Sequence, residues 1–131
     1  MTRRTVAELL EEARAGLERV GPQEAARAVA EHGALLLDVR SELQRERDGT
    51  IPGALFHPRN VVEWRADPAS GHHDPALSGD LERQVIVVCD EGYQSSLVAA
   101  TLQQLGFARA TDLDGGFVAW RAAGLPVDEP A

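Results

Sequence analysis

The chain has 131 residues, of which 44% are hydrophobic and 26% charged, a composition typical of one globular domain. Its formal net charge of −8, without any block of basic residues, argues against nucleic acid and anionic membrane surfaces as partners. All thirteen basic residues are arginine, which excludes Schiff-base chemistry through lysine and means that any cation in a functional site must be arginine or histidine.

Two helices precede the first predicted strand. Thr5 and Glu8 form a capping box that opens the first helix, and Pro22 suits the first position of the second. Strand and helix signals then alternate until a last helix that Gly124 ends. The predicted helices are 5–19, 22–31, 58–64, 96–105 and 117–123, and the predicted strands are 34–39, 85–89 and 110–113. Segment 51–56 is predicted to be a turn that leads into another short strand. The remaining segments are 40–49, a loop or short helix, 67–80, a loop, and 127–131, a frayed tail.

This alternation predicts an α/β fold with a central parallel sheet covered by helices on both faces. Residues 17–126 are predicted to form this single domain, and 1–16 a helical extension packed on it. No apolar segment follows the basic N-terminus, so no signal peptide is expected, and no apolar run approaches the roughly 20 residues of a membrane helix. A single cysteine excludes an internal disulfide and fits a reducing compartment, so we expect a cytoplasmic protein.

The single cysteine, Cys89, lies where the predicted strand 85–89 passes into the next helix. Ser95 or Ser96 suits the N-cap of that helix, and the short segment before it contains Gly92. Backbone amides near a helix N-terminus stabilise negative charge on a sulfur. Cys89 is therefore a candidate nucleophile or sulfur carrier, although a lone cysteine is also often a small buried hydrophobe.

Few other residues suggest chemistry. Asp38 ends a predicted strand, and the carboxyl ends of parallel strands share one edge of the sheet, so Asp38 and Cys89 are expected at the same rim. We expect Asp38 to orient backbone amides or to pair with an arginine rather than to touch the sulfur.

His72 and His73 lie in a polar loop without further metal ligands nearby, so no metal site is predicted. Nucleotide-binding motifs are absent, and no cofactor is expected.

Four segments, in the same order, resemble rhodanese-like domains. They are the LLDVR of 36–40, 50–54 (the family's HIPGA, with Thr50 in place of histidine), the cysteine segment 87–95, and the LxGGxxAW of 113–120. The resemblance extends over about 17–126. It implies a rhodanese-like α/β fold with a central parallel sheet, and a cysteine that carries sulfane sulfur as a persulfide.

The loop after the cysteine departs from the family's usual Cys-Arg-x-Gly-x-Arg. The corresponding residues here are Cys89, Asp90, Glu91, Gly92, Tyr93 and Gln94, followed by Ser95. Both family arginines are absent and two carboxylates are present, so a dianionic donor such as thiosulfate should be repelled and serve poorly. Arg40, Arg45 or Arg47 could compensate if the 40–49 segment folds over the rim, but at least two of the three are expected to be solvated.

The resemblance implies a sulfurtransferase in which Cys89 takes sulfur from a small donor and passes it to cyanide, a thiol or a partner protein's cysteine. Amides of 90–95 would bind the persulfide, Tyr93 would line the mouth, and Asp38, Arg40 and Arg47 would have supporting roles. Phe117 and Trp120, three residues apart on the last helix, are predicted to be core.

Two alternatives remain. A rhodanese fold could serve as a binding or sulfur-relay module with little turnover, its acidic loop docking a basic partner. A cysteine phosphatase or arsenate reductase is disfavoured, because such sites need an arginine after a five-residue anion-binding loop, and Ser95 holds that position here.

Overall fold

The structure is a computed structural model that describes residues 2–131, so Met1 of the predicted extension lies outside the described residues. Four parallel strands form the central sheet in the order β2-β1-β3-β4. They are β1 Leu35–Asp38, β2 Leu55–Phe56, β3 Val85–Val88 and β4 Ala110–Asp112. Asp38 is in register with Val88, and Val87 with Asp112, so these strands end at one edge of the sheet. The predicted α/β fold with a parallel sheet is confirmed.

Seven helices surround the sheet in the described part of the chain: α1 Val6–Ala15, α2 Pro22–His32, α3 Glu42–Asp48, α4 Val62–Ala66, α5 Pro75–Ser78, α6 Gln94–Gln104 and α7 Gly116–Ala122. The capping box of Thr5 and Glu8 begins α1 as predicted, but α1 ends at Ala15, well before the predicted residue 19. Segment 40–49 is a short helix rather than a loop, capped by Ser41 and Gln44. The predicted 67–80 loop contains α5. No helix of residues 2–131 is both long and apolar enough to cross a membrane.

The strands direct alternate side chains to opposite faces of the sheet, and this divides the core in two. Val87 and Cys89 belong to a cluster with residues of α4, α5 and α6. Ile86 and Val88 belong to a second cluster with residues of α2 and α7. Helix α1 packs on α6 and adds an outer layer on that side. The side chain of Cys89 therefore faces α6, whereas its neighbours in the strand face α7.

The last helix and the tail are both packed. Phe117 and Trp120 are buried, which confirms them as core residues, and the indole Nε1 of Trp120 donates to the Pro126 carbonyl at 2.8 Å. Thr50 and Asp128 exchange backbone hydrogen bonds of 3.0 and 2.7 Å in an antiparallel bridge. The expectation of a frayed tail is therefore wrong at Asp128, because Thr50, just after the end of α3, gives the tail a backbone to pair with.

Candidate active site

The segment 89–95, called here the Cys89 loop, wraps its backbone amides around the sulfur. Cys89 is only 2% exposed, and its Sγ accepts hydrogen bonds from the nitrogens of Gly92 at 3.2 Å and Ser95 at 3.4 Å. Gly92 adopts φ +88°, and a Cβ there would lie 2.8 Å from the Gly115 nitrogen. This position therefore requires glycine, for both its backbone angle and the close approach to the start of α7. The loop forms a small donor-lined cradle at the end of β3.

The start of α6 differs from the prediction. The helix begins at Gln94, and its N-cap is Tyr93, which makes no capping side-chain bond. Ser95 and Ser96 were expected to cap it, but both are buried in its first turn and donate their hydroxyls to Oδ2 of Asp112, at 2.7 and 2.8 Å. Each hydroxyl thus donates to a buried carboxylate in a charge-assisted hydrogen bond, instead of accepting from a backbone N–H as a capping side chain does. The free amide of Ser95 is thereby left to reach the sulfur.

Asp112, at the end of β4, is fully buried and is the centre of an ionic network behind the Cys89 loop. Arg19 donates to it twice, from Nε to Oδ1 at 2.9 Å and from Nη2 to Oδ2 at 3.2 Å. Burial lowers the pKa of Arg19, but the hydrogen bond and charge of Asp112, with smaller effects of Asp114 and Cys89, leave that pKa above its ordinary value. The pair holds a positive charge that interacts with Cys89.

Arg14 and Arg19 both reach the Cys89 loop itself. Each donates an Nη2 hydrogen bond of 2.8 Å to the carbonyl oxygen of Gly92. Arg14 also donates from Nε to the Ser96 hydroxyl at 3.1 Å, and its guanidinium lies 5.7 Å from the centre of the Tyr93 ring. Neither arginine was predicted from the sequence to be a site residue, and Asp112 was not predicted either. The two arginines are distant from Asp112 in sequence. The one local signal was an acidic residue, Asp112, at the end of a predicted strand.

Asp38 lies at the expected rim and pairs with two arginines. It accepts from the Arg40 backbone nitrogen at 3.0 Å, from Arg40 Nε and Nη2 at 3.1 and 2.9 Å, and from Arg45 Nη1 at 2.7 Å. Arg40 is completely buried, donates to the Gly49 carbonyl at 2.9 Å, and lies 3.9 Å over the Phe117 ring of α7. The Asp38–Arg40 pair therefore fixes the α3 segment on the α7 side of the sheet, opposite the face that carries the Cys89 sulfur.

Only one of the three arginines near the rim is solvated. Arg40 is buried and Arg45 is mostly buried against Asp38 and Phe56, so the expectation that at least two would be solvated is wrong. The exposed one, Arg47, pairs with Asp48 at 2.7 Å. All three are neutralised by neighbouring carboxylates, because the LLDVR segment and α3 supply their own acidic partners.

The two carboxylates of the Cys89 loop lie in different surroundings. Asp90 lines a cavity of about 670 Å³ on the α7 side, together with Arg47, Phe117 and Arg121. The pKa of Arg47 is raised chiefly by Asp48 and also by the charge of Asp90. Glu91, in contrast, is exposed to solvent. The expectation that both carboxylates lie beside the sulfur therefore needs correction for Asp90, which follows the strand alternation to the opposite side.

The comparison with protein families matches the rhodanese-like domain model over residues 21–123. This span covers most of the chain and includes the Cys89 loop, the Asp38–Arg40 pair and Asp112. The chain belongs to the rhodanese-like domain family. Arg14 and Arg19 precede the part of this rhodanese-like protein that the family model matches.

Two curated relatives carry sulfurtransferase names. Thiosulfate sulfurtransferase GlpE of Pseudomonas savastanoi pv. phaseolicola is 34% identical over 77% of this chain and 85% of its own length. A sulfurtransferase of Allochromatium vinosum is 31% identical over 73% of this chain and 79% of its own length.

A solved structure resembles this rhodanese-like protein over almost its whole length. It is a protein of unknown function from Rhodopseudomonas palustris, described as a possible tyrosine phosphatase. The identity is 31%, the TM-score is 0.87, and the match covers 98% of this chain and 97% of that one. The likeness therefore includes the segment with Arg14 and Arg19, which lies outside the family model.

Proposed function

We propose that this protein is a sulfurtransferase that carries sulfane sulfur as a persulfide on Cys89. The observation that supports this most is the pair of backbone amides, of Gly92 and Ser95, that donate to a single thiol at the carboxyl edge of a parallel sheet. Membership of the rhodanese-like family and the names of two relatives support the same reaction class.

The proposed reaction is a double displacement without net oxidation. The Cys89 thiolate attacks the outer sulfur of the donor. A new S–S bond forms, and the donor's bond to that sulfur breaks, its electron pair leaving with the donor remnant, which is sulfite when the donor is thiosulfate. An acceptor nucleophile then attacks the outer sulfur of the persulfide. The S–S bond breaks, and its electron pair returns to the Cys89 thiolate.

The loop amides provide the stabilisation that this reaction needs. Both the thiolate and the persulfide are anions, and donors fixed beforehand at such a position stabilise charge without reorganising during the reaction. The start of α6 adds the partial positive charge of a helix N-terminus. A persulfide extends the reactive atom by about 2 Å, the length of an S–S bond, which brings the outer sulfur away from the buried position of Cys89.

The surroundings of the loop guide the proposed choice of substrates. Thiosulfate is proposed as a weak donor, because exposed Glu91 places a negative charge in the loop that a dianionic donor must approach. Tyr93, which is 61% exposed, is proposed to line the mouth. Acceptors would be cyanide, a small thiol or the cysteine of a partner protein.

The proposed compartment is the cytoplasm, since a free thiol that cycles through a persulfide needs reducing surroundings.

Steady-state kinetics test the proposed function. Initial rates of thiocyanate formation are measured while donor and cyanide are varied together. The proposal predicts the parallel double-reciprocal lines of a double displacement, and no turnover in Cys89→Ser. Binding of a basic protein without turnover of any donor would favour the alternative binding module. Hydrolysis of an aryl phosphate that depends on Cys89 would instead favour a phosphatase.

A further inference from the structure

We infer that Arg14 and Arg19 are positioning residues for the Cys89 loop, supplied by a segment that precedes the matched rhodanese-like domain. The purpose of this positioning rests on the proposed function, whereas the hydrogen bonds that support it are independent of that function. Two guanidinium groups from this segment converge on one carbonyl oxygen, that of Gly92, at 2.8 Å each.

These two hydrogen bonds fix the orientation of the loop peptides. A peptide unit is planar and trans, so a carbonyl that points out toward two arginines directs the amide of the same unit, that of Tyr93, the opposite way. On either side of this unit, the nitrogens of Gly92 and Ser95 donate to the sulfur. Holding the Gly92 carbonyl outward therefore prevents a carbonyl oxygen from turning toward an anionic sulfur.

The second anchor lies at the start of α6. Arg14 donates to the Ser96 hydroxyl, and Arg19 holds Asp112, which in turn accepts from both Ser95 and Ser96. The hydroxyl of Ser95 is thus fixed on one side of the backbone while its amide reaches Sγ on the other. Loop and helix start are both tied to the same two cations.

The charges around the Cys89 loop make these cations important. On the negative side are Asp90 and Glu91 in the loop, buried Asp112 on β4, and exposed Asp114, which pairs with Arg19 Nη1 at 3.3 Å. Asp38, at the end of β1, is neutralised by Arg40 and Arg45. Arg121, on α7, pairs with Glu129. Tyr93 is the remaining titratable group of the loop.

Arg14 is the cation of this set without a carboxylate partner among its hydrogen bonds, since it donates to Gly92 and Ser96. Its charge is consequently the less compensated of the two that contact the Cys89 loop. The loop arginines that the family pattern would supply are absent, and Arg14 and Arg19 provide positive charge from behind the loop instead.

The test measures the thiolate directly in the full-length protein. The ultraviolet absorbance of the thiolate is followed against pH, with Cys89→Ser as the baseline, in wild type, Arg14→Gln, Arg19→Gln and Arg14→Lys. Since Cys89 is the single cysteine, the difference signal belongs to it alone. Arg27→Gln, an exposed arginine on α2, is the matched control for loss of one positive charge.

We expect Arg14→Gln to raise the midpoint of this profile above that of Arg27→Gln, because it removes a positive charge and one of the two donors that hold the Gly92 carbonyl outward. Sulfur transfer near neutral pH should fall with it to below the rate of Arg27→Gln, because the loop amides are no longer held toward the sulfur. Arg14→Lys should restore part of both changes. Arg14 makes no bond to Asp112, so this variant leaves the buried carboxylate paired and should fold even if Arg19→Gln does not.

The outcomes distinguish the inference from the proposed function. If wild type transfers sulfur while Arg14→Gln matches Arg27→Gln in both midpoint and rate, the positioning role is overturned and the function stands. If the midpoint shifts as expected but wild type transfers no sulfur, the positioning role stands and the proposed function fails. Thermal unfolding of each variant confirms that the titration reports a folded protein.

Discussion

Arg19 and Asp112 form a two-bond ion pair, at 2.9 and 3.2 Å, that joins the segment before α2 to the end of the sheet directly behind the Cys89 loop. The carboxylate is fully buried while the arginine side chain remains 19% exposed. The same carboxylate accepts from Ser95 and Ser96, so one acidic group connects three separate segments of the site.

Removing this carboxylate should destabilise the fold strongly. Asp112→Ala leaves a partly buried guanidinium and two buried hydroxyls without their acceptor, and breaking a buried pair in this way costs about 3 kcal/mol or more. Asp112→Asn retains an acceptor and should cost less. Urea unfolding with matched m-values measures both. A loss below about 1 kcal/mol in Asp112→Ala would contradict the central place given to this residue.

The two tryptophans offer a matched pair for the packing of the core. Trp120 is 4% exposed beneath α7, whereas Trp64 is 56% exposed on α4. Trp120→Ala should lower the free energy of unfolding by about 3–5 kcal/mol, the usual cost of truncating a large core side chain. Trp64→Ala should change it by less than about 1 kcal/mol. Equal losses in the two variants would contradict the assignment of Trp120 to the core.

Donor preference should depend on Glu91 more than on Asp90. Glu91 is exposed in the loop, while Asp90 faces the cavity shared with Arg47 and Arg121. Glu91→Gln should lower the KM for thiosulfate about twofold at low salt, since an exposed charge at several ångströms is worth a fraction of a kcal/mol. The effect should shrink at high salt. A gain in Asp90→Asn equal to that in Glu91→Gln would place both carboxylates near the donor.

The hydrogen bond between His57 and Asp74 predicts an acid-sensitive part of the fold. Asp74 caps α5 by accepting from the Ala76 nitrogen and pairs with His57 at 2.7 Å, and these two bonds, the backbone one first, hold the pKa of Asp74 below its ordinary 3.8. Because the folded state favours the charged form, this stabilisation is fully present above pH 3.8 and is lost as the pH falls through the depressed pKa. Stability measured from pH 6 to about 3 should therefore fall less steeply in Asp74→Asn than in wild type. Identical slopes would show that the pair contributes nothing.

Local patterns in the sequence were sufficient for the fold and for the position of Cys89. These patterns are the apolar runs of β1 and β3, the glycine at 92 and the helix-forming residues of α6. Each of them lies within a few consecutive residues. Cys89 and Asp38 consequently fell at one edge of the sheet as expected. Because side chains alternate between the two faces along a strand, Cys89 and Asp90 point to opposite sides of the sheet. This difference could have been predicted from the sequence.

The ionic network behind the loop had no such local signal. Arg19 and Asp112 are 93 residues apart, and Arg14 and Gly92 are 78 apart. The Arg14 contact depends on α1 packing on α6, and the Arg19 contact depends on the backbone bridge between Val20 and Leu113. Composition and periodicity specify neither. For the same reason Ser95 and Ser96 resembled an ordinary helix cap, since the carboxylate that takes their hydroxyls belongs to another strand.

The central claim is that Cys89 carries sulfur, and the mass of the intact protein tests it most directly. The reduced full-length chain is incubated with thiosulfate or a low-molecular-weight persulfide and then measured before and after cyanide. We predict the added mass of one sulfur atom per chain, its removal by cyanide, and no addition in Cys89→Ser. A wild type that gains no sulfur from either donor, or a gain that persists in Cys89→Ser, would contradict the account.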